Sequence, residues 1–304
     1  MRILVTGGAG FIGSHLVEHF HTEHEVVVVD NLRSGYRGNL EGLKHKFHQV
    51  SITDREQLFP LFEAVDRVFH LAAMISVPES LEKPSECVLI NTQGTLNVLE
   101  AAREYGVKRV VFASSAAVYG DNPVVPKGED MLPEPKSPYA VTKLDGEYYL
   151  KIFEDEWGVG AGSLRFFNVF GPRQDPQSQY AAAIPIFIHR ALRGEDITVF
   201  GDGSQVRDFV YVKDVVQACV LASEKSGPVC NVARGENITI NDIARQIIEL
   251  TGSSSRLVHT DPRPGDIHTS YADISRLKAR GYSPEPDQCQ SLLATIRYFE
   301  QQGR

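Results

Sequence analysis

Cysteine is scarce in this chain of 304 residues: Cys87, Cys219, Cys230 and Cys289 stand apart, without CxxC spacing and without histidines at metal-ligand spacing beside them. A disulfide framework and a structural metal are therefore not expected, and free thiols in a reducing compartment are. Positive charge is also short. Lys and Arg number 31 against 39 Asp and Glu, a formal net charge of -8, and no basic run makes a local patch. That leaves no electrostatic footprint for a nucleic-acid backbone. No apolar stretch approaches the ~20 residues of a membrane span, and Met1 leads straight into a short strand and a glycine turn with no leader-like segment. The expectation is a cytoplasmic protein with neither nucleic-acid nor membrane partner. Internal repeats and low-complexity segments are missing too. What remains, 42% hydrophobic and 23% charged residues, is the balance of a globular protein, long enough for one large α/β unit or two domains.

The first half alternates strand and helix. Residues 2–5 form an apolar run that ends in Thr6-Gly7-Gly8-Ala9-Gly10-Phe11-Ile12-Gly13, after which 14–20 has helical periodicity and 25–29 is again strand-like. Glycines at 7, 10 and 13 let the backbone turn tightly, approach a pyrophosphate and pack helix against sheet, while the helix N-terminus offers unpaired N–H groups to phosphate. The second strand ends in Asp30-Asn31. A carboxylate there accepts hydrogen bonds from an adenosine ribose and repels a 2′-phosphate, which favours NAD over NADP. Arg33 is the opposing signal, secondary to Asp30. The alternation continues with a strand at 47–52, a helix at 54–62, a strand at 65–71, a helix at 92–105 and a strand at 108–113. This predicts a doubly wound, mostly parallel sheet whose ligands lie beyond the carboxyl ends of the strands, where Ala72-Ala73, Ser114-Ser115 and the glycine loop converge. The Pro-rich stretch 122–138 reads as a surface excursion.

Tyr139-Ala-Val-Thr-Lys143 places a phenol and an ammonium one helical turn apart. On spacing alone, an ordinary amphipathic helix with a surface Tyr and Lys accounts for the pair. Beside a nucleotide loop it predicts redox chemistry on a hydroxyl, with Lys143 lowering the phenol's pKa so that Tyr139 serves as a general base. His15 and His19 are also four apart, but with no third ligand a solvated helix face is the better reading.

GGAGFIG at 7–13, Asp30-Asn31, His70-Leu-Ala-Ala73, Asn91, Ser114-Ser-Ala-Ala-Val-Tyr-Gly120 and Tyr139-x-x-x-Lys143 together resemble the extended short-chain dehydrogenase/reductase family over nearly the whole chain. In the second half, LRFFNVFGP at 164–172, VFGDG at 199–203, VRDFVYVKD at 206–214 and RPGD at 263–266 are similar to the nucleotide-sugar branch, specifically the UDP-hexose 4-epimerases. The resemblance implies a Rossmann-type NAD-binding domain at 1–165, its sheet completed by segments from 205–235, and a smaller α/β domain for the UDP-sugar at 166–304. It implies a catalytic trio of Tyr139 as base and acid on the sugar O4, Lys143 on the nicotinamide ribose, and Ser115 hydrogen-bonding O4.

For tightly bound NAD the resemblance implies contacts from Gly7, Gly10, Phe11, Ile12 and Gly13, from Asp30 and Asn31, and from Ser51 and Ile52. It adds Leu71, Ala72 and Ala73 after the fourth strand, then Asn91, Ser114 and Phe166, with Tyr139 and Lys143. For the UDP-sugar it implies Ser76, Asn168 and Arg207 with Val199 and Phe200, and Arg263 with Asp266, besides Ser115 and Tyr139. Guanidinium forks suit paired phosphate oxygens, although a lone Arg is more often a surface ion pair. Ser51-Ile52 stands where many members have Asp-Ile, and Met74-Ile75-Ser76 where several glucose-type epimerases have a Lys. Decarboxylases and 4,6-dehydratases carry an acidic residue shortly after the Ser; here Ala116 and Ala117 follow Ser115. The implied reaction is oxidation at C4, rotation of the 4-keto sugar, and hydride return. The alternatives are a sugar-nucleotide reductase, a UDP-glucuronate 4-epimerase or decarboxylase, or an NAD-sensing protein that keeps the fold. Ser270, small where epimerases restricted to non-acetylated sugars have a bulky aromatic, implies room for an acetamido group. The family commonly dimerises through the two helices around 92–105 and 144–157, so a homodimer is expected.

Overall fold

In the computed structural model, residues 1–176, 182–262 and 267–303 are described. Six strands numbered in chain order, β1 (Arg2–Thr6), β2 (Glu25–Val29), β3 (Lys46–His48), β4 (Arg67–His70), β5 (Arg109–Ser115) and β6 (Gly160–Phe166), join Cys230–Val232 in one seven-stranded sheet. The order is Cys230–Val232, β6, β5, β4, β1, β2, β3, and every pairing is parallel. Strands such as Ile3–Val5 and Val26–Val29 are apolar on both faces because helices cover both sides, as an all-parallel sheet requires. Alternate residues sort between two cores: Ile3 and Val5 face one, Leu4 the other. The helices Phe11–Phe20 and Val212–Glu224 pack together on the first side, and Gly94–Glu104 with Pro138–Trp157 on the second. The chain winds outward from β1 through β3 and then crosses to β4 on the other side of β1. This strand order makes the fold a Rossmann-type doubly wound sheet and puts the switch point between β1 and β4, directly beside the glycine loop.

Several sequence boundaries shift. The third strand, expected at 47–52, is only Lys46–His48: Val50 N–H bonds back to the His48 carbonyl, and a second turn from Ser51 to Asp54 contains Ile52. The helix expected at 54–62 is an α-turn, Arg55–Leu58, capped by Asp54, running into a 3₁₀ turn, Phe59–Phe62, because Pro60 has no N–H for an α-helical bond. The helix expected at 92–105 is part of a longer run: Pro84–Val88, then a π-helical turn Leu89–Gln93, then Gly94–Glu104. The Pro-rich excursion ends one residue earlier than expected, since Pro138 is already the first residue of the helix Pro138–Trp157 that carries Tyr139. Ser137 caps that helix by accepting from Ala140 N–H, and Gly158 closes it in the left-handed conformation.

In the second half the strands are short and pair across long gaps. Asn168–Phe170 lies parallel to Phe209–Tyr211, and Val206–Arg207 sits between Ile238–Thr239 and Thr269–Ser270. Ile197–Phe200 pairs with Leu257–Thr260. A separate core, with Phe187, Ile188, Ile243, Ile247, Leu292 and Phe299, holds this half together. Of the 205–235 stretch, Cys230–Val232 is the edge strand of the main sheet, whereas 206–211 belongs to the small sheets. All four cysteines are free thiols. Among the described residues no helix is long and apolar enough to cross a membrane, and no cluster of His, Cys, Asp or Glu could hold a metal ion.

Candidate active site

At the end of β1 the chain turns at Gly7, whose φ of 70° lies in the region glycine alone adopts readily. A Cβ on Gly13 would stand 2.1 Å from the Gly7 carbonyl oxygen, so helix and loop approach as closely as they do only because Gly13 has none. Gly10 precedes the helix Phe11–Phe20, and no side chain caps it. The first N–H groups of this helix therefore point at the groove above β1 without a side-chain partner, a ready site for a pyrophosphate. Asp30, at the end of β2, is buried; its Oδ2 accepts from Ala9 N–H at 2.9 Å and its Oδ1 from Leu32 N–H at 2.8 Å. Burial pushes its pKa above the usual carboxylate value, while the two backbone bonds oppose that rise. Asn31 accepts from Arg33 N–H at 3.0 Å, and Leu32 between them has φ 62°. Thr6 fixes the far side: its hydroxyl accepts from Ala72 N–H at 3.2 Å, and its carbonyl accepts from Leu71 N–H at 3.1 Å.

Ser115, the last residue of β5, lies in register with Phe166 of β6, and its Oγ accepts from Ala117 N–H at 3.1 Å. The helix that carries Tyr139 packs directly against β5. Lys143, one turn on, is buried, with its ammonium 5.7 Å from the Tyr139 ring and 5.0 Å from the Phe112 ring. Its one protein hydrogen bond goes to the Ala113 carbonyl at 2.8 Å, so two of its three N–H groups have no protein acceptor among the described residues. Burial holds the Lys143 pKa down at about 8. The expected lowering of the Tyr139 pKa by Lys143 is not what the structure gives. Burial raises the phenol above its ordinary value, Ser115 pulls it back in part, and the ammonium sits too far along the ring to reverse the sign.

Other sequence-picked residues have their polar groups used inside the protein. Asn91, in the π-helical turn, accepts from Met74 N–H at 2.7 Å and donates to the Met74 carbonyl and to Thr142 Oγ1, each at 3.0 Å. Thr142 in turn donates to the Tyr139 carbonyl at 2.8 Å, so Asn91 positions the loop after β4 against the helix that carries Tyr139. Ser114 donates to Glu147, which clamps Arg165 through bonds of 2.9 and 2.7 Å in the interior. Ser114 and Ser115 thus face opposite sides of β5, as strand alternation dictates. Ser51 bonds Thr53, and buried Ile52 packs over Gly94. Ser76 caps the helix Val77–Glu82 by accepting from Glu79 N–H at 3.0 Å.

In the second half, Asn168 donates through Nδ2 to the Asp208 carbonyl at 3.1 Å. Arg207 and Ser270 are cross-strand partners in register, and Phe200 ends its strand exposed while Val199 lies in the core. Arg263 and Asp266 lie outside the described residues. Sequence reading did not single out two supporting groups. Asp208 is fully buried and accepts from Arg234, Gly235 and Ala272 N–H groups at 2.9, 3.1 and 3.3 Å. His70 links Thr6 at 2.7 Å to Thr95 at 2.9 Å, and burial holds its pKa down at about 3, so it stays neutral. The signal for both was their place inside the VRDF and HLAA segments.

The uncapped helix N-terminus, the glycine approach, the buried Asp30 carboxylate and the two unspent N–H groups of Lys143 fit a dinucleotide lying across β1. Residues 3–233 match the family described as the NAD dependent epimerase/dehydratase family. The chain is 41% identical to the UDP-glucose 4-epimerase of Thermotoga maritima solved with UDP-glucose, with a TM-score of 0.95 and 100% of each chain covered. It is 40% identical to the UDP-N-acetylglucosamine 4-epimerase of Methanobrevibacter ruminantium M1 solved with UDP-N-acetylmuramic acid, at a TM-score of 0.95 and coverage of 99% and 98%. Over the whole of both chains it is 37% identical to the UDP-glucose 4-epimerase of Mycolicibacterium smegmatis. It is also 35% identical, over 99% of its own length and 98% of the relative's, to the UDP-N-acetyl-alpha-D-glucosaminuronate decarboxylase of Bacillus cytotoxicus.

Proposed function

The chain belongs to the NAD-dependent epimerase/dehydratase family, and from that premise we propose that it is a UDP-hexose 4-epimerase, acting on UDP-Glc/UDP-Gal and on the UDP-GlcNAc/UDP-GalNAc pair. The observation that carries this reading is Ser115 at the end of β5 with Tyr139 and buried Lys143 one turn apart on the helix packed against that strand, beside the glycine loop. When bound, NAD supplies the electron-pair acceptor and donor at its nicotinamide ring. Tyr139, as the phenolate, takes the O4 proton as C4 of the sugar is oxidised and, as the phenol so formed, gives it back after the 4-keto sugar has turned. Ser115 Oγ holds O4 in line with that phenol. Lys143, charged below about pH 8, directs its two unspent N–H groups at the nicotinamide ribose and places a cation near Tyr139. Asn168 and Arg207, with Arg263 and Asp266, bind the UDP; Asp30 binds the adenosine ribose.

Ala116 and Ala117 follow Ser115 where the decarboxylase and dehydratase readings call for an acid, which favours redox without elimination. A homodimer is part of the proposal. Val141, Tyr148 and Ile152 on the catalytic helix, with Val88 and Leu89 nearby, are large apolar side chains left exposed, and a second copy would cover them. The test is incubation of purified protein with UDP-Glc or UDP-GlcNAc and no added reductant, followed by NMR. The 4-epimer should accumulate from each; folded protein that yields it from neither refutes the reading.

A further inference from the structure

Neighbouring strands β2, β1 and β4 each deliver a loop to the same end of the sheet. The glycine loop follows β1 in the middle. Arg33 follows β2 on one side, and the helices Val77–Glu82 and Pro84–Val88 follow β4 on the other. Arg33 crosses that gap. Its Nη2 lies 2.8 Å from Glu79 Oε1 and its Nη1 2.5 Å from Glu86 Oε1, so one guanidinium fork is held by carboxylates from two successive helices. Lys83 stands 3.5 Å from Glu79 and 3.9 Å from Glu86, which balances the second negative charge. The backbone at Arg33 is fixed in turn, since Asn31 accepts from its N–H and Asp30 accepts from Leu32. Asp30, one of the two side chains that hold this turn, is the group proposed for the adenosine ribose.

We infer that the Arg33–Glu79–Glu86 clasp closes over the dinucleotide groove and slows NAD release. Its charge is committed to two carboxylates, so Arg33 acts as a strap on the cofactor and not as a reader of a 2′-phosphate. The inference rests on NAD binding and is independent of which sugar is epimerised. The side chains are one-quarter to two-fifths exposed, at 32%, 25% and 38%, so each ion pair is screened by solvent and the effect is moderate.

The experiment is exchange of labelled NAD, preloaded on the protein, against excess unlabelled NAD. Arg33→Ser and the double variant Glu79→Gln/Glu86→Gln should each release NAD about three- to tenfold faster. Combining all three changes should add nothing to Arg33→Ser, because the clasp is already open. UDP affinity, measured by calorimetry, should stay at the wild-type value and reports folding. Should a variant lose UDP affinity as well, wild-type release in low and high salt decides the matter: it must accelerate with salt, and a salt-independent rate overturns the clasp. Unchanged release in folded variants overturns it too. So does a gain of NADP affinity in the Gln variant without faster NAD release, which would make Arg33 a phosphate ligand held in reserve. Failure of the epimerase assay would leave these rates untouched, so the two ideas fail separately.

Discussion

On the proposed cofactor side, most of the groups assigned to the dinucleotide sit at the ends of adjacent parallel strands β2, β1, β4 and β5, and their positions are set by backbone bonds within that sheet. On the proposed sugar side, Arg207 and Ser270 meet only because two-residue strands more than sixty positions apart pair in register, and Asp208 ties two further stretches, 234–235 and the chain at Ala272, to them through three bonds to its carboxylate. The first arrangement is a platform that tolerates change elsewhere. The second is a wall built from distant pieces, in which one side chain carries several joints. On the proposed reading, chemistry is attached to the rigid half and substrate selection to the composite half.

The sharpest way to separate the halves is to remove the base alone. Tyr139→Phe deletes one hydroxyl from a capped twenty-residue helix whose packing does not depend on it. It should lower kcat by about 10²–10⁴-fold, as expected for loss of a positioned general acid/base, while NAD occupancy and UDP affinity stay within about twofold. A loss of NAD binding comparable to the loss of kcat would show that Tyr139 also holds the platform.

Breaking the wall at its joint comes next. Asp208→Ala strands three backbone N–H groups in the interior, each costing about 1–3 kcal/mol less whatever water reaches them, so a total near 3–5 kcal/mol in urea unfolding is expected. UDP affinity should fall with it, while NAD release from the remaining folded protein stays slow. Asp208→Asn keeps one acceptor and does not titrate. Burial raises the Asp208 pKa to about 6, so the folded state holds a proton the unfolded chain has lost; the stabilising contribution is present at low pH and fades as pH rises through about 6. The stability gap between wild type and Asp208→Asn should therefore shrink by about 1 kcal/mol from about pH 5 to about pH 7.5. A gap that widens with pH would reverse the sign assigned to this carboxylate.

The same contrast explains what could be read from the residues alone. In the first half, strands of four to seven residues with apolar runs, a glycine turn and a capped helix are local signals, and they located β1, β2, β4, β5 and the helix of Tyr139. The π-helical turn at Leu89–Gln93 was not legible, because its cause is a tertiary one: Asn91 reaches across to Met74 and Thr142. Strands such as Val206–Arg207 and Thr269–Ser270 are too short to show any period, so their pairing was hidden although the motifs containing them were visible. The direction of the Tyr139 shift was misjudged for a related reason. Helical spacing gives the distance to Lys143 but not the burial that outweighs it.

The finest probe of the composite half is Ser270→Tyr. Ser270 is half-buried, and its backbone lies beside that of Arg207, the residue proposed to bind the diphosphate, so a substitution at this position probes that strand's surroundings without altering the pairing itself. On the proposed reading a Tyr fills the volume an acetamido group would need, yet adds no charge and removes no hydrogen bond the structure shows. The UDP-GlcNAc/UDP-GalNAc reaction should fall by about 10²-fold in kcat/KM, a few kcal/mol of steric exclusion, and the UDP-Glc/UDP-Gal reaction by less than about threefold. Rates measured on both pairs with the same preparation decide it. Equal loss on both would mean that the ring disturbs the diphosphate wall, and that the sugar's C2 substituent is sensed elsewhere.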